Sequence, residues 1–155
     1  MIRCCVVAMI GTTLLLGCAS KEPGHDGGYK VPSARPTSRD WKPGAVWAFV
    51  TTKKSGERDS LTFRLTDEIA KTCTGGSWRK LQVVSGLLPQ LQSSPSQAAY
   101  SVEGSFLSID LLAGWCDIGD NIRGKLEGTT FTGDRTQGGM MGSDVVGNVH
   151  GWRVK

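Results

Sequence analysis

Leu61-Thr62-Phe63-Arg64-Leu65-Thr66 and Phe106-Leu107-Ser108-Ile109-Asp110-Leu111-Leu112 are the stretches on which the fold is read. In the first, Leu61, Phe63 and Leu65 alternate with Thr62, Arg64 and Thr66. In the second, Leu107, Ile109 and Leu111 fall on one face and Ser108 and Asp110 on the other. A period of two is that of a strand with one face in a core and the other in water. Working outward, Val46–Val50 is apolar on both faces, and further short runs follow at Trp78–Val84, Ala98–Val102, Ile122-x-Gly124-x-Leu126, Thr129–Asp134 and Val145–Val154. The later links are tight: Glu103-Gly104-Ser105, Glu127-Gly128 and the Gly-rich Thr136–Ser143. Short links favour antiparallel neighbours and hence a meander. The expected fold is therefore all-β, a small antiparallel meander barrel of about eight strands over residues 41–155, with a two-sheet β-sandwich as the alternative. A single helical turn is expected at Thr66–Lys71, where Thr66 can cap and Asp67 and Glu68 sit at the positive end.

Ahead of this domain, Arg3 and an apolar run through Leu14-Leu15-Leu16 lead to the small residues Gly17 and Ala19. That is the layout of a bacterial export signal. From Cys4 to Gly17 the run is about 14 residues, under the roughly 18 to 20 that a bilayer-crossing helix needs. Leu15-Leu16-Gly17-Cys18 resembles the lipobox of bacterial lipoproteins. The resemblance implies removal of residues 1–17, a lipid on Cys18, and an envelope protein held at the outer membrane with its domain in the periplasm. No Asp follows at the second mature position, where Ala19-Ser20 stand. Several acyl chains, at about 0.8 kcal/mol per buried methylene, make such an anchor effectively permanent. Residues 18–40 are rich in Gly, Pro, Ser and charge and read as a flexible tether. Its root-mean-square span is about 25 Å, and its stretched reach roughly 75 Å.

The chain carries 18 basic and 14 acidic residues, a net charge of +4, which loss of Arg3 lowers by one. The charges are scattered, with Lys53-Lys54, Arg79-Lys80 and Arg123-x-Lys125 the densest spots. Nucleic-acid binding needs a clustered basic face, so no nucleic-acid partner is expected. Of the five cysteines, Cys4 and Cys5 leave with the signal and Cys18 takes the lipid. Cys73 and Cys116 remain, an even pair in an oxidising compartment, and are expected to form a disulfide. Closing a loop of about 43 residues stabilises by about 4 kcal/mol on the chain-entropy model.

Candidate chemistry is sparse. Cys73-Thr74-Gly75-Gly76-Ser77-Trp78 and Gly114-Trp115-Cys116-Asp117 place an indole near each cysteine. Their expected role is a stapled barrel end, with Trp78 or Trp115 as the functional alternative, an exposed platform for sugar or peptide. Asp117-Ile118-Gly119-Asp120-Asn121 lacks the ligand set of a calcium loop and reads as a turn bonding its own backbone. His25 lies in the tether and His150 in the last strand. No further ligands accompany His150 for zinc, and no Gly-x-Ser-x-Gly elbow accompanies it for hydrolysis. No metal or other cofactor is expected. Gln137-Gly138-Gly139-Met140-Met141-Gly142 is followed by neither a helix nor a Lys, which rejects phosphate binding; Met140 and Met141 instead offer an adaptable contact surface. Leu87, Leu88 and Leu91 sit in an expected loop, either as a plug for one barrel mouth or as an exposed apolar partner site.

Three function classes follow. The leading expectation is a non-enzymatic protein-binding module of the envelope, an inhibitor, immunity protein or accessory subunit, with Leu87, Leu88, Leu91, Met140, Met141 and Trp115 as candidate contacts. Its architecture resembles that of periplasmic lysozyme-inhibitor lipoproteins, although their Ser-Gly-x-x-Tyr segment is replaced here by Ser101-Val102-Glu103-Gly104-Ser105-Phe106. The alternative is a small-ligand barrel of avidin or lipocalin kind. A hydrolase ranks last, for want of a dense catalytic set.

Overall fold

The computed structural model describes residues 41–86 and 97–155. The lipobox with Cys18, the tether, and Leu87, Leu88 and Leu91 lie outside the described residues. The domain is a closed antiparallel barrel of eight strands in chain order. They are β1 (Val46–Lys53), β2 (Arg58–Ile69), β3 (Arg79–Ser85), β4 (Ala99–Glu103), β5 (Phe106–Asp110), β6 (Ile118–Glu127), β7 (Thr130–Gly139) and β8 (Gly142–Arg153). Pairing of β1 with β8, Phe49 opposite Gly151, closes the sheet on itself and excludes the sandwich. The period-of-two reading holds: Leu61, Phe63 and Leu65 of β2 and Leu107 and Ile109 of β5 are buried in the barrel.

Two of the hairpins turn on glycine. Gly104 and Gly128 adopt φ of 61° and 60° at the first loop position after β4 and β6, where a left-handed residue matches the twist of the flanking strands. A third glycine serves packing. A Cβ on Gly151 would stand 2.6 Å from Cδ1 of Phe49, so the closing strand is thinned where the largest rings meet.

The interior has two chemically distinct ends. At the end where the chain enters, Trp41 stacks on Trp47 with centroids 4.2 Å apart, and Phe49 meets Phe131 edge to face at 5.5 Å. Phe63, Leu65, Leu107, Ile109, Ile122 and Val149 continue this core. Toward the β7–β8 hairpin the filling becomes ionic. Arg135 donates from Nε to Asp120 Oδ1 at 2.7 Å and from Nη2 to Oδ2, and Gln137 Nε2 donates to the same carboxylate at 2.8 Å. Arg135 Nη1 also lies 3.6 Å from Asp59 Oδ2, which Lys53 Nζ approaches to 3.1 Å. A buried charge survives only when paired and hydrogen-bonded, and this network meets that condition across β1, β2, β6 and β7.

Two expectations are corrected. Residues Thr66–Ile69 are not a helical turn but the end of β2, with a register shift between Leu65 and Ile69. There Thr66 Oγ1 donates to Lys80 O, Tyr100 O–H to Thr66 O, and Arg79 Nη1 to Asp67 O, while Glu68 pairs with Lys80 at 3.0 Å. These cross-strand partners outweigh a weak capping signal. Asp117–Asn121 is likewise no self-bonded turn: Ile118–Asn121 opens β6, and Asp120 faces the barrel interior to meet Arg135.

Outside the wall, Ala70, Trp78, Ala99 and Ala113 form a second small core. It exists because β4 meets β3 through only Arg79 opposite Tyr100 and Lys80 opposite Ala99. The sheet is offset there, and the β2–β3 connection crosses the outer face of β4 to reach the β5–β6 connection. Cys73 and Cys116 join these two connections, their Cα atoms 5.3 Å apart.

Replacing Asp120 by Ala leaves Arg135 buried without its bidentate partner. The expected cost is about 3 to 5 kcal/mol, read as a lower denaturant midpoint at unchanged slope. Removing the disulfide as Cys73→Ser with Cys116→Ser is expected to lower stability by up to about 4 kcal/mol. An unchanged melting temperature would show that the outer flap holds without its staple.

Candidate functional site

Strand register decides which side chains meet on the outer wall. Ala99 of β4 is opposite Asp110 of β5, Asp110 is opposite Asn121 of β6, Asn121 is opposite Thr136 of β7, and Thr136 is opposite Val145 of β8. Residues directly opposite share a face, so Asp110, Asn121 and Thr136 form one outward polar row. From Asp110 to Thr136 this row spans two interstrand spacings, about 9 to 10 Å.

The disulfide flap stands at one end of the row and the β7–β8 hairpin at the other. Between them lies an open cleft of about 320 Å³, at the small end of the roughly 300 to 1,000 Å³ typical of ligand sites. Asp110, Asn121, Arg123 and Thr136 contribute its polar lining; Trp115, Ile118 and Met140 contribute apolar surface, and the Cys73–Cys116 bridge forms part of the wall. Gly119 leaves room for its neighbour, because a Cβ there would fall 2.9 Å from Asn121 Nδ2.

Asp110 is the unusual group. Its residue is only 7% exposed, yet it lines the cleft. Oδ1 accepts a hydrogen bond from Leu112 N at 2.9 Å, which fixes the turn out of β5. Burial pushes its carboxyl above the ordinary 3.8; the Leu112 N–H and the charge of Arg123 pull it down, and Asp120 adds to the rise. A desolvated carboxyl in a cleft is a recurrent mark of a functional site.

The sequence candidates separate cleanly. Cys73 and Cys116 are bonded and wall the cleft. Trp115, 43% exposed, lines it, as does Met140 at 86%; Met141 is fully exposed on the same hairpin. Trp78 is no platform: it is buried, and its indole N–H donates to Gly75 O at 3.0 Å. His150 lies opposite Val50 and Thr132 on the exposed face of β8. Among the described residues, no group of three or more His, Cys, Asp or Glu is placed to hold a metal. In sequence, Asn121 falls in the Asp117–Asn121 stretch and Arg123 in a dense basic spot, neither marked as a ligand contact, and Asp110 and Thr136 carry no motif of their own. Compared with protein-family models, with curated protein sequences and with solved structures, the chain finds no match.

The sign of the Asp110 effect follows from its raised pKa. The folded state holds the proton more tightly than the unfolded chain, so ionisation costs stability as pH rises. Relative to Asp110→Asn, the wild type is expected to lose stability as pH rises through the ordinary 3.8 and to level off once the raised carboxyl of the folded state has ionised. Parallel pH profiles of the two denaturation midpoints would contradict this.

Proposed function

We propose that this domain is a small-ligand-binding barrel, tethered to the bacterial envelope through lipidated Cys18, with its ligand seat in the cleft beside the disulfide. One observation carries the reading: a buried carboxyl, an arginine, a side-chain amide and a half-exposed indole converge on a single opening of ligand size. The up-and-down barrel has the architecture of the avidin and lipocalin kind, but the seat differs. Here the barrel interior is occupied by Trp47, Phe49, Phe63, Phe131 and the Arg135 network, so the outer wall takes the ligand. Binding, rather than turnover, is the proposed role, with no metal or other cofactor taking part. A protein partner is the second reading. It is favoured by Met140, which lines the cleft, and by Met141, exposed on the same hairpin, both of which suit an adaptable contact.

The test is a thermal-shift survey of neutral, cationic and anionic small molecules on the wild type and Arg123→Ala. At least one class should raise the wild-type melting temperature, with the gain lost in the variant. If no class stabilises the wild type, or if the variant responds equally, the cleft is not the seat.

A further inference from the structure

The charge pattern of the cleft narrows its occupant, on the reading that it is a ligand seat. The geometry points to a neutral saccharide of at least two rings, lying along the Asp110–Asn121–Thr136 row with one ring face on Trp115. Mixed charge in the lining disfavours ligands of a single sign. An ammonium ion drawn to Asp110 would meet the guanidinium of Arg123, whose field Asp110 feels. An anion drawn to Arg123 would meet Asp110 and Asp117, both in the lining. A polyhydroxyl ligand satisfies both signs together. Its O–H groups donate to the carboxylates, its oxygens accept from Arg123, and Asn121 can do either.

Shape supplies the rest. A row about 9 to 10 Å long exceeds the hydrogen-bonding edge of a single planar ring, so the ligand must spread its polar groups along its length. It must also present an apolar face, because Trp115, Ile118 and Met140 are in the same lining. The C–H face of a sugar ring meets that need against the electron-rich face of an indole. Thr136 adds a hydroxyl that donates or accepts at the far end of the row.

The experiment uses the full chain in detergent, labelled with ¹⁵N, and follows the Trp115 indole N–H and the Asn121 side-chain amide. Probes are the neutral disaccharides cellobiose, maltose and chitobiose, with butylammonium and succinate as charged counterparts. At least one disaccharide should shift both signals saturably, and Trp115→Ala should weaken its binding at least tenfold. Because Trp115 borders the disulfide, Arg123→Gln is the second variant. It should also weaken binding while leaving the remaining spectrum in place. If a charged probe shifts these signals and no disaccharide does, the saccharide assignment fails and the ligand seat stands. A disaccharide that shifts only signals elsewhere also overturns the assignment. If no probe of any charge perturbs the cleft, the ligand seat falls with it.

Discussion

The bidentate pair between Arg135 and Asp120 is the constraint on which the rest of the barrel depends. Hydrophobic filling alone tolerates many small rearrangements, whereas a buried guanidinium tolerates almost none. Asp120 on β6 and Arg135 on β7 must both face inward. A slip of one residue on either strand would expose one charge and leave the other alone. The pair therefore sets the register of the two long strands. That same register turns Asn121 and Thr136 outward, next to the residues they interleave with. The ionic interior and the cleft on the wall are two faces of one alignment.

A second dependence runs through the offset at β3–β4. Because these strands share so short a ladder, the β2–β3 connection is free to cross the outer wall, where it buries Ala99 against Trp78 and Ala113. The crossing, through Cys73 and Thr74, raises one wall of the cleft that Asp110 lines. The disulfide then holds that wall to the β5–β6 connection. Elements that look like stabilising accessories thus define the opening, and the buried Arg135–Asp120 pair behind the wall supplies a rigid floor.

Alternation made the strands legible, since Leu61-x-Phe63-x-Leu65 and Leu107-x-Ile109-x-Leu111 show their buried faces directly. The disulfide was legible from the cysteine count together with the expectation of export. Charged strand ends were not. Thr66–Ile69 looks like a capped helix start because its stabilising partners, Arg79, Lys80 and Tyr100, lie on other strands. Asp120 looks like a turn residue because Arg135 is invisible as its partner until the β6–β7 hairpin is built. The site was half legible: Trp115 and Met140 stand out by type. Asp110, Asn121 and Thr136 gain meaning only through registers set by connection length and sheet offset, which local pattern does not encode.

Closure of the barrel by its first and last strands has a consequence for how the chain acquires its structure. Phe49 is covered by Gly151 and Val149, about a hundred residues later, and long-range pairing of this kind slows folding. A chain that emerges amino end first, from a ribosome or through a membrane pore, must keep β1 unpaired on one edge until its final residues appear. Val50 and Phe49 then belong to an open strand edge that can recruit other chains. The vulnerable period of this molecule is thus its biosynthesis, and truncation of β8 alone would extend it indefinitely.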